Sequence, residues 1–365
     1  MLLFEENAVA GAYDETEADV KKLSRRRFIG AAGALAAAGK AHAAAEPPPA
    51  EAGALTLTCA NYVRFMPIAA GDVRPSGLSL TWVRGDRADM LRRATGDSAV
   101  DGGETSMAQH VMRLAAGDRS FVAIPVFPLR NFTARDLYAR KGSALKAGGL
   151  ASSRIGIYNW AASGAVWYRH LVRHLGHDTA KVAWTVGGVD APAAVRIPEP
   201  PPAHVRPAPK ERSLSDLLLR GELDALFSPV PPAGLGDGTM VRVFPDFRDM
   251  EQRYYAATRC FPPQHVIVLR RTSWQKEPAA GRRLVDAFNT AEVQFEAAQR
   301  QFPYNSPWLI ADVEDAVRIM GADYHAHGFE KNRHALDTFC QGAFDDGLTK
   351  RRVTAEEFFA EFLET

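Results

Sequence analysis

The sequence predicts an α/β protein of two lobes with a helical C-terminal segment, on three observations. Its 365 residues exceed what one hydrophobic core usually holds. The run Phe121–Phe127 is continuously apolar, as in a strand buried on both faces of a parallel sheet. Several predicted strands end in polar or proline-containing segments, and open α/β sheets bind ligands at that edge. A ligand cleft between the two lobes is therefore expected.

The charge balance argues against nucleic acid and membrane surfaces as partners. The chain carries 44 basic and 43 acidic residues, for a formal net charge of +1. Such a chain offers no basic footprint to a polyanion. Any charged ligand must be bound by local groups, and a small anionic ligand is the expected partner.

The first 43 residues are predicted to be a twin-arginine signal peptide. Residues 24–30 read S-R-R-R-F-I-G, an apolar stretch follows, and Ala41-His42-Ala43 fits an A-x-A cleavage site. That stretch is too short for a membrane span of about 20 residues. We expect a periplasmic or otherwise exported chain that begins near Ala44 with a linker over 44–53, is not inserted in the membrane, and has the export machinery as a partner. A basic, alanine-rich disordered N-terminus is the alternative.

The sequence has no cofactor signature, so no cofactor is expected. It contains no P-loop, no G-x-G-x-x-G after a strand and no C-x-x-C. The three cysteines, Cys59, Cys260 and Cys340, are odd in number and far apart, which favours buried free thiols over a bridge.

No metal site is expected either. Two histidine groups have suggestive spacing: His170, His174 and His177, and His325 and His327 with Asp323. The first lacks an acidic or cysteine partner nearby, and the second does not match a catalytic pattern.

In the first lobe, residues 55–60 alternate as a strand and deliver Tyr62 and Arg64 to its carboxyl end. A second strand is predicted at 77–83 and a short helix at 89–94. Residues 101–107, which include Glu104, would follow a third strand. Helical spacing then runs from 107 to 116. Ser106 would lie at the start of this helix, where unpaired N–H groups favour a carboxylate ligand, although an ordinary cap is the alternative.

The run Phe121–Phe127 is expected to carry the chain from one lobe to the other. Pro125 and Pro128 end any regular ladder because proline has no N–H to donate. Arg130 follows directly, and we predict that it faces the cleft. A solvated turn is the alternative interpretation.

The second lobe repeats this plan. A strand at 154–158 and a helix at 165–175 would place Tyr158, Ser163 and Trp167 around one strand-to-helix turn. A strand at 182–186 precedes a proline-rich surface loop over 189–209. A helix capped near Ser213 is followed by a strand at 223–227, which ends at Ser228.

The chain is predicted to return to the first lobe through a strand at 266–269. His265, at the mouth of that strand, is a candidate ligand-facing imidazole, with a satisfied buried histidine as the alternative. Helices are expected at 281–300, 310–319, 328–346 and 355–363. We therefore assign 54–130 and 262–365 to the first lobe and 131–261 to the second.

Short motifs along most of the chain match one known family. They are Tyr62-x-Arg64, Gly71-Asp72-x-Arg74-Pro75-x-Gly77, Glu104-x-Ser106, Phe121–Pro128 with Arg130 and Phe132, Val166-Trp167, Gly187-Gly188, Leu214-Ser215-Asp216, Ser228-Pro229-x-Pro231-Pro232, His265, Pro307-Trp308-Leu309, Met320-Gly321, Asn332-Arg333 and Gly347-Leu348. In these the chain resembles the 4,5-dihydroxyphthalate decarboxylase-like branch of the type II periplasmic-binding-protein superfamily.

The resemblance implies two α/β lobes joined by two crossover strands, with one ligand in the cleft. The chain departs from the family pattern at two places. Thr133-Ala134-Arg135 stands where decarboxylase-like members have Arg-His-Ser, and Val230 stands where they have arginine.

The first functional hypothesis is an exported solute-binding protein that closes its lobes on a small anionic ligand, such as an aromatic carboxylate, for ABC-type uptake through a membrane permease. Arg64 and Arg130 would clamp the carboxylate. The remaining expected ligand-binding residues are Ser106, Tyr158, Ser163, Trp167, Ser228 and His265.

The alternative is a carboxy-lyase acting on 4,5-dihydroxyphthalate or a related hydroxylated aromatic acid. His265 or Glu104 would then be the acid–base group. The export signal favours the binding protein, because breakdown of aromatic acids is usually intracellular work. Whether the chain is an enzyme stays open at this point.

Overall fold

Two mixed β-sheets organise the chain. A computed structural model describes residues 53–143, 145, 147–195, 197, 201–301 and 306–365, so the predicted signal peptide lies outside the described residues. The strands are β1 Gly53–Ala60, β2 Leu78–Gly85, β3 Gly102–Ser106, β4 Phe121–Ile124, β5 Leu137–Arg140, β6 Arg154–Ile157, β7 Ala183–Val186, β8 Val205–Pro207, β9 Ala225–Phe227, β10 Met240–Arg242 and β11 His265–Arg270.

The first sheet has the strand order β2-β1-β3-β11-β4. Strands β1, β2 and β3 are parallel, whereas β11 runs antiparallel to both β3 and β4. This register places His265 opposite Ser106 and Ile267 opposite Glu104. The strand that returns from late in the sequence therefore lies beside the one that carries Glu104.

The second sheet has the order β10-β5-β9-β6-β7-β8. Strands β6 to β9 are parallel, and β5 is antiparallel to both β9 and β10. All of its strands come from residues 137–242, between β4 and β11 of the first sheet.

Two segments, 125–136 and 243–264, connect the sheets, and they pair with each other where they cross. The N–H of Asn131 donates to the carbonyl of Pro262 at 3.1 Å, and the N–H of Gln264 donates to that of Leu129 at 2.8 Å. The predicted two-lobed α/β fold with two crossover strands is confirmed. The division of the lobes at residues 130 and 262 stays a prediction.

Helices cover the sheets and form the C-terminal segment. They are α1 Met66–Ala70, α2 Arg87–Gly96, α3 Met107–Ala115, α4 Ser163–His174, α5 Leu214–Leu219, α6 Ala233–Gly236, α7 Phe247–Thr258, α8 Arg271–Lys276, α9 Ala280–Gln301, α10 Leu309–Met320, α11 Phe329–Asp345, α12 Ala355–Phe358 and α13 Ala360–Leu363. Short 3-10 turns lie at Val63–Phe65, Ala134–Asp136, Ala147–Ser152 and Thr179–Lys181. The part of the chain that the structure describes holds no helix long and apolar enough to cross a bilayer.

The segment 101–107 is itself the third strand, contrary to the prediction that it follows one. Its two glycines allow the neighbouring strands to approach closely. Gly102 and Gly103 have φ angles of +153° and +150°. A Cβ at these positions would meet Val268 O at 2.0 Å and Thr58 O at 2.2 Å. Only glycine fits at such a contact.

Three smaller differences have local causes. Strand β5 was not predicted, because its four residues lie just after a proline-broken run. Strand β8 falls inside the segment predicted as a loop, where it adds three residues to the edge of the second sheet. The last predicted helix is divided at Phe359, whose side chain is fully buried.

Candidate functional site

A cavity of about 520 Å³ lies where the strand ends of both sheets meet the crossover segments. Its volume suits a small organic ligand. The lining residues are Arg87, Ala88, Leu91, Ser106, Gln109, Leu129, Asn131, Arg135, Tyr158, Asn159, Ala161, Ala162, Ser163, Gly164, Pro229, Gln264 and His265. Each sheet contributes walls to this cavity, as expected for a cleft between them.

Four of the predicted site residues lie together at this cavity: Ser106, Tyr158, Ser163 and His265. Glu104 lies directly behind His265 and is fully buried. The other four predicted ligand-binding residues are absent from the described lining, and each has a different structural partner.

Arg64 is absent from the described lining of the cavity, and its place in a carboxylate clamp stays a prediction. Its buried guanidinium forms an ion pair with Glu292 of α9 and donates to the carbonyls of Phe127, at 2.7 Å, and Pro128. The proline-broken crossover leaves these carbonyls without ladder partners, and Arg64 supplies the missing donors.

Arg130 is also buried away from the cavity. Its guanidinium donates to Asn332 Oδ1 at 2.5 Å and to the carbonyls of Phe261 and Ala326 at 3.3 and 3.4 Å. Burial lowers the pKa of Arg130 to about 9, with the nearby charge of Arg64 acting in the same direction. Arg130 thus ties the two crossover segments to the start of α11, and its part in a carboxylate clamp stays a prediction.

Trp167 and Ser228 are structural as well. The Trp167 indole is 1% exposed, and its Nε1–H donates to the carbonyl of Pro263 at 2.6 Å, which fastens α4 to the returning crossover. The Ser228 hydroxyl donates to the carbonyl of Val230 at 2.6 Å and stabilises the turn after β9. In this structure the indole instead packs against His170 and Phe339, and its stacking on a ligand stays a prediction.

Two arginines that sequence reasoning did not choose line the cavity instead. Arg87 is the first residue of α2, and Arg135 lies in the 3-10 turn 134–136 with its Nε–H 3.3 Å from Asp136 Oδ1. A feature of the sequence could have pointed to each of these arginines. Arg87 follows the carboxyl end of β2, and Arg135 belongs to the departure from the family pattern. The described lining contains no Asp or Glu, so the cavity wall is cationic.

The start of α4 adds neutral donors to this wall. Ser163 and Gly164 occupy the first turn, where backbone N–H groups have no helical acceptor. The hydroxyl of Tyr158 lies beside Gly164 and makes no hydrogen bond to any residue that the structure describes. Burial raises the pKa of Tyr158, so its phenol stays protonated and can donate. Backbone N–H groups and a phenol therefore converge with the two guanidinium groups.

His265 is held by Glu104 in one orientation. Its Nδ1 lies 2.5 Å from Glu104 Oε1, and this imidazole is the only aromatic ring at the described wall of the cavity apart from that of Tyr158. No described residue hydrogen-bonds Nε2, so Nε2 is the nitrogen available to a ligand. A carboxylate behind a histidine fixes the ring and its tautomer, which is a recurrent arrangement in acid–base catalysis.

Glu104 is ionised although it is buried. Burial alone would raise its pKa, but hydrogen bonds from His265, Tyr62 and the backbone of Ala60 together hold the pKa below its usual value. Being fully buried and absent from the described lining, it does not reach the ligand. Of the two predicted acid–base candidates, His265 lines the cavity and Glu104 lies behind it as its hydrogen-bond partner.

The comparisons with known proteins agree with this picture. No protein-family model matches the chain. The 4,5-dihydroxyphthalate decarboxylase of Pseudomonas putida is 30% identical over 189 residues, which cover 50% of this chain and 73% of that protein. The chain belongs to the 4,5-dihydroxyphthalate decarboxylase family. The resemblance inferred from its motifs is thereby confirmed.

A second member of the 4,5-dihydroxyphthalate decarboxylase family aligns over more of the chain. The Comamonas testosteroni protein of that name is 27% identical over 317 residues, covering 84% of this chain and 96% of its own. Among solved structures, the periplasmic aliphatic sulphonate-binding protein SsuA of Escherichia coli is similar with a TM-score of 0.47 at 14% identity, covering 86% of this chain and 92% of that one.

Proposed function

We propose that this protein is a carboxy-lyase that binds a hydroxylated aromatic acid in the cavity and removes one carboxylate as CO₂. The arrangement of His265 carries the proposal, because its imidazole lies at a cationic wall with a buried carboxylate behind it. The names of both family relatives supply the class of substrate.

Binding would depend on groups from both sheets. Arg87 and Arg135 pair with the anionic groups of the acid, since a guanidinium meets a carboxylate with two parallel hydrogen bonds. The N-terminus of α4 offers backbone N–H groups and a partial positive charge to the same anion. The Tyr158 phenol donates to a ring substituent.

The chemistry needs a proton at the ring carbon that loses the carboxylate. His265 Nε2 donates this proton, and a hydroxyl of the same ring, ortho or para to that carbon, supplies the electron pair that accepts it. The bond from the ring to the carboxylate then breaks, its electron pair restores the aromatic ring, and CO₂ leaves. The net change replaces a carboxylate with one hydrogen, so no oxidant or reductant is required. General acid catalysis of this type contributes about 10²- to 10⁴-fold in rate.

The test is CO₂ release from 4,5-dihydroxyphthalate by the purified protein, compared with His265→Asn. His334→Asn is the matched control, since that exposed imidazole donates from Nε2 to the carbonyl of Thr258 at 2.8 Å, on the surface. We expect CO₂ from the unaltered protein and the control only. Equal CO₂ release by His265→Asn rejects the assignment of the acid, and no release by any of the three rejects the lyase.

A second function, solute binding for uptake, is favoured by the predicted twin-arginine signal. Closure of the predicted second lobe, 131–261, on the first would then retain the acid for a membrane permease, with the protein in the periplasm. A thermal-shift screen with phthalate-like acids separates the two functions. A shift without CO₂ release supports the binding protein, and turnover supports the lyase.

A further inference from the structure

We propose that Tyr62 is a positioning residue, which sets the proton affinity of His265 by sharing with it one oxygen of Glu104. The inference rests on the proposed function only in taking His265 as the ligand-facing imidazole. Tyr62 is absent from the described lining of the cavity and would act entirely through Glu104.

The Glu104 carboxylate is saturated with donors. Its Oε1 accepts from the Tyr62 hydroxyl at 2.6 Å and from His265 Nδ1 at 2.5 Å. Its Oε2 accepts from the N–H of Ala60 at 2.8 Å and from the Cys59 thiol at 3.3 Å. An ionised carboxylate has about four acceptor positions, so Glu104 has none left for a ligand and serves its four neighbours.

The Tyr62 hydroxyl is fixed in place by the end of β1. The backbone N–H of Tyr62 donates to the carbonyl of Ala60 at 2.9 Å, and the Tyr62 ring packs edge-on against Phe65 with centroids 6.1 Å apart. β1 pairs directly with β3, which carries Glu104. The donor and the carboxylate are therefore held by adjacent strands of one sheet.

The other groups around Glu104 do not titrate with His265. Burial raises the pKa of the Tyr62 phenol and of the Cys59 thiol, and the charge of Glu104 raises both further, so both stay protonated as donors. Arg87 from α2 and Arg64 from the turn after β1 are the neighbouring cations. Both donors therefore keep their protons on Glu104 when the pH changes between acidic and neutral values.

Two hydrogen-bond donors to one carboxylate oxygen weaken each other, because each reduces the negative charge that the oxygen presents to the other. Removing the Tyr62 hydroxyl leaves His265 Nδ1–H as the sole donor to Oε1, which strengthens the hold of Glu104 on the protonated ring. We expect the titration midpoint of His265 to rise by on the order of half to one pH unit in Tyr62→Phe. A merely structural role would leave the midpoint unchanged, because phenylalanine retains the packed ring.

The experiment follows the ring carbons of labelled histidine by NMR across pH, with the His265 signal assigned from its loss in His265→Asn. Tyr62→Phe should raise the midpoint and Glu104→Gln should lower it. The double variant should match Glu104→Gln within about 0.2 pH unit, since Tyr62 acts through the carboxylate. Tyr255→Phe, whose hydroxyl donates to Met320 O, is the matched control and should show no shift.

Two results overturn the proposal: an unmoved midpoint in Tyr62→Phe, or a double variant that shifts by the sum of the single changes. If Glu104→Gln does not fold, Cys59→Ala replaces it. This variant removes the longer, weaker donor on Oε2 and should raise the midpoint by less than Tyr62→Phe; an equal or larger rise contradicts the proposal. The titration needs no substrate, so it can succeed where CO₂ release fails, and the two hypotheses remain separable.

Discussion

Ser106 and Ser163 hydrogen-bond each other at the wall of the cavity, with their hydroxyl oxygens 2.8 Å apart. Ser106 ends β3 of the first sheet, and Ser163 begins α4 beside the second. Ser163 Oγ also accepts the backbone N–H of Ala108 at 3.0 Å, so it caps α3 from the opposite side. The predicted cap residue, Ser106, makes no side-chain cap of its own helix. The Ser163 hydroxyl thus caps α3 and also links α4 to the end of β3.

Ser163→Ala should therefore reduce both stability and ligand affinity. Loss of a helix cap typically costs about 1 kcal/mol of unfolding free energy. Ser213→Ala is the matched control, because Ser213 caps α5 within the second sheet's layer, accepting from Asp216 N–H at 3.1 Å. We expect similar losses in urea midpoint for both variants, but weaker binding of 4,5-dihydroxyphthalate only for Ser163→Ala. Unchanged affinity in Ser163→Ala would show that the hydrogen bond between Ser106 and Ser163 does not contribute to ligand binding.

Arg87→Ala and Arg135→Ala should each weaken binding of an aromatic acid by about 10- to 100-fold, since a hydrogen bond to a charged group contributes roughly 1.5–3 kcal/mol. Calorimetric titration with 4,5-dihydroxyphthalate measures this. Arg253→Ala is the control, because that side chain pairs with Asp249 on the exposed side of α7. Full affinity in both cavity variants would exclude the cationic wall as the binding site.

Arg130→Ala should lower stability more than it lowers affinity. The substitution removes the donors to Asn332 and to two carbonyls in a buried setting, which costs about 1–3 kcal/mol for the acceptors left unpaired. Urea denaturation and ligand titration of the same sample separate the two effects. A variant of normal stability that no longer binds the acid would restore Arg130 to the ligand site.

The contributions of Asp136 and Glu251 to the stability of the protein should fall as pH rises from about 4 to above 7. Burial raises the pKa of Asp136 to about 6 and that of Glu251 to about 7. Both folded values exceed the unfolded ones, so the contribution is complete below the unfolded pKa and is lost as pH passes the folded pKa. For the buried Asp136 the loss is about 3 kcal/mol. Asp136→Asn should remove this loss, so the unfolding free energy of the variant relative to the unaltered protein should rise by about this amount between about pH 4 and 7; a difference that does not change with pH would contradict this account.

Gly103→Ala should prevent or severely impair folding. Its Cβ would lie 2.2 Å from the carbonyl oxygen of Thr58, in the middle of the first sheet. Steric conflicts with backbone atoms belong to the few changes that cost more than about 4 kcal/mol. Gly96→Ala at the end of α2 meets nothing within 4 Å and is the control, expected to be neutral or slightly stabilising. Soluble yield and thermal midpoint of the two variants decide the matter.

Much of the fold follows from local patterns. The apolar run at 121–127 and the strand predicted at 266–269 appear as β4 and β11. The return of the chain to the first sheet could be predicted because a strongly apolar strand follows the elements of the second lobe. Strand β3 could not be predicted, because Gly102 and Gly103 are residues typical of turns and only the contacts with neighbouring strands explain them. A close backbone contact leaves no periodic signal in one sequence.

By itself the sequence determined which polar residues lie at strand ends, and Ser106, Tyr158, Ser163 and His265 were placed on that basis. Tertiary structure alone decided which arginines line the cavity. Arg64 turns toward Glu292, 228 residues away in the chain, and toward carbonyls left unpaired by Pro125 and Pro128. Buried acceptors bind the nearest strong donor, and which donor is nearest depends on contacts between distant segments that no local pattern records.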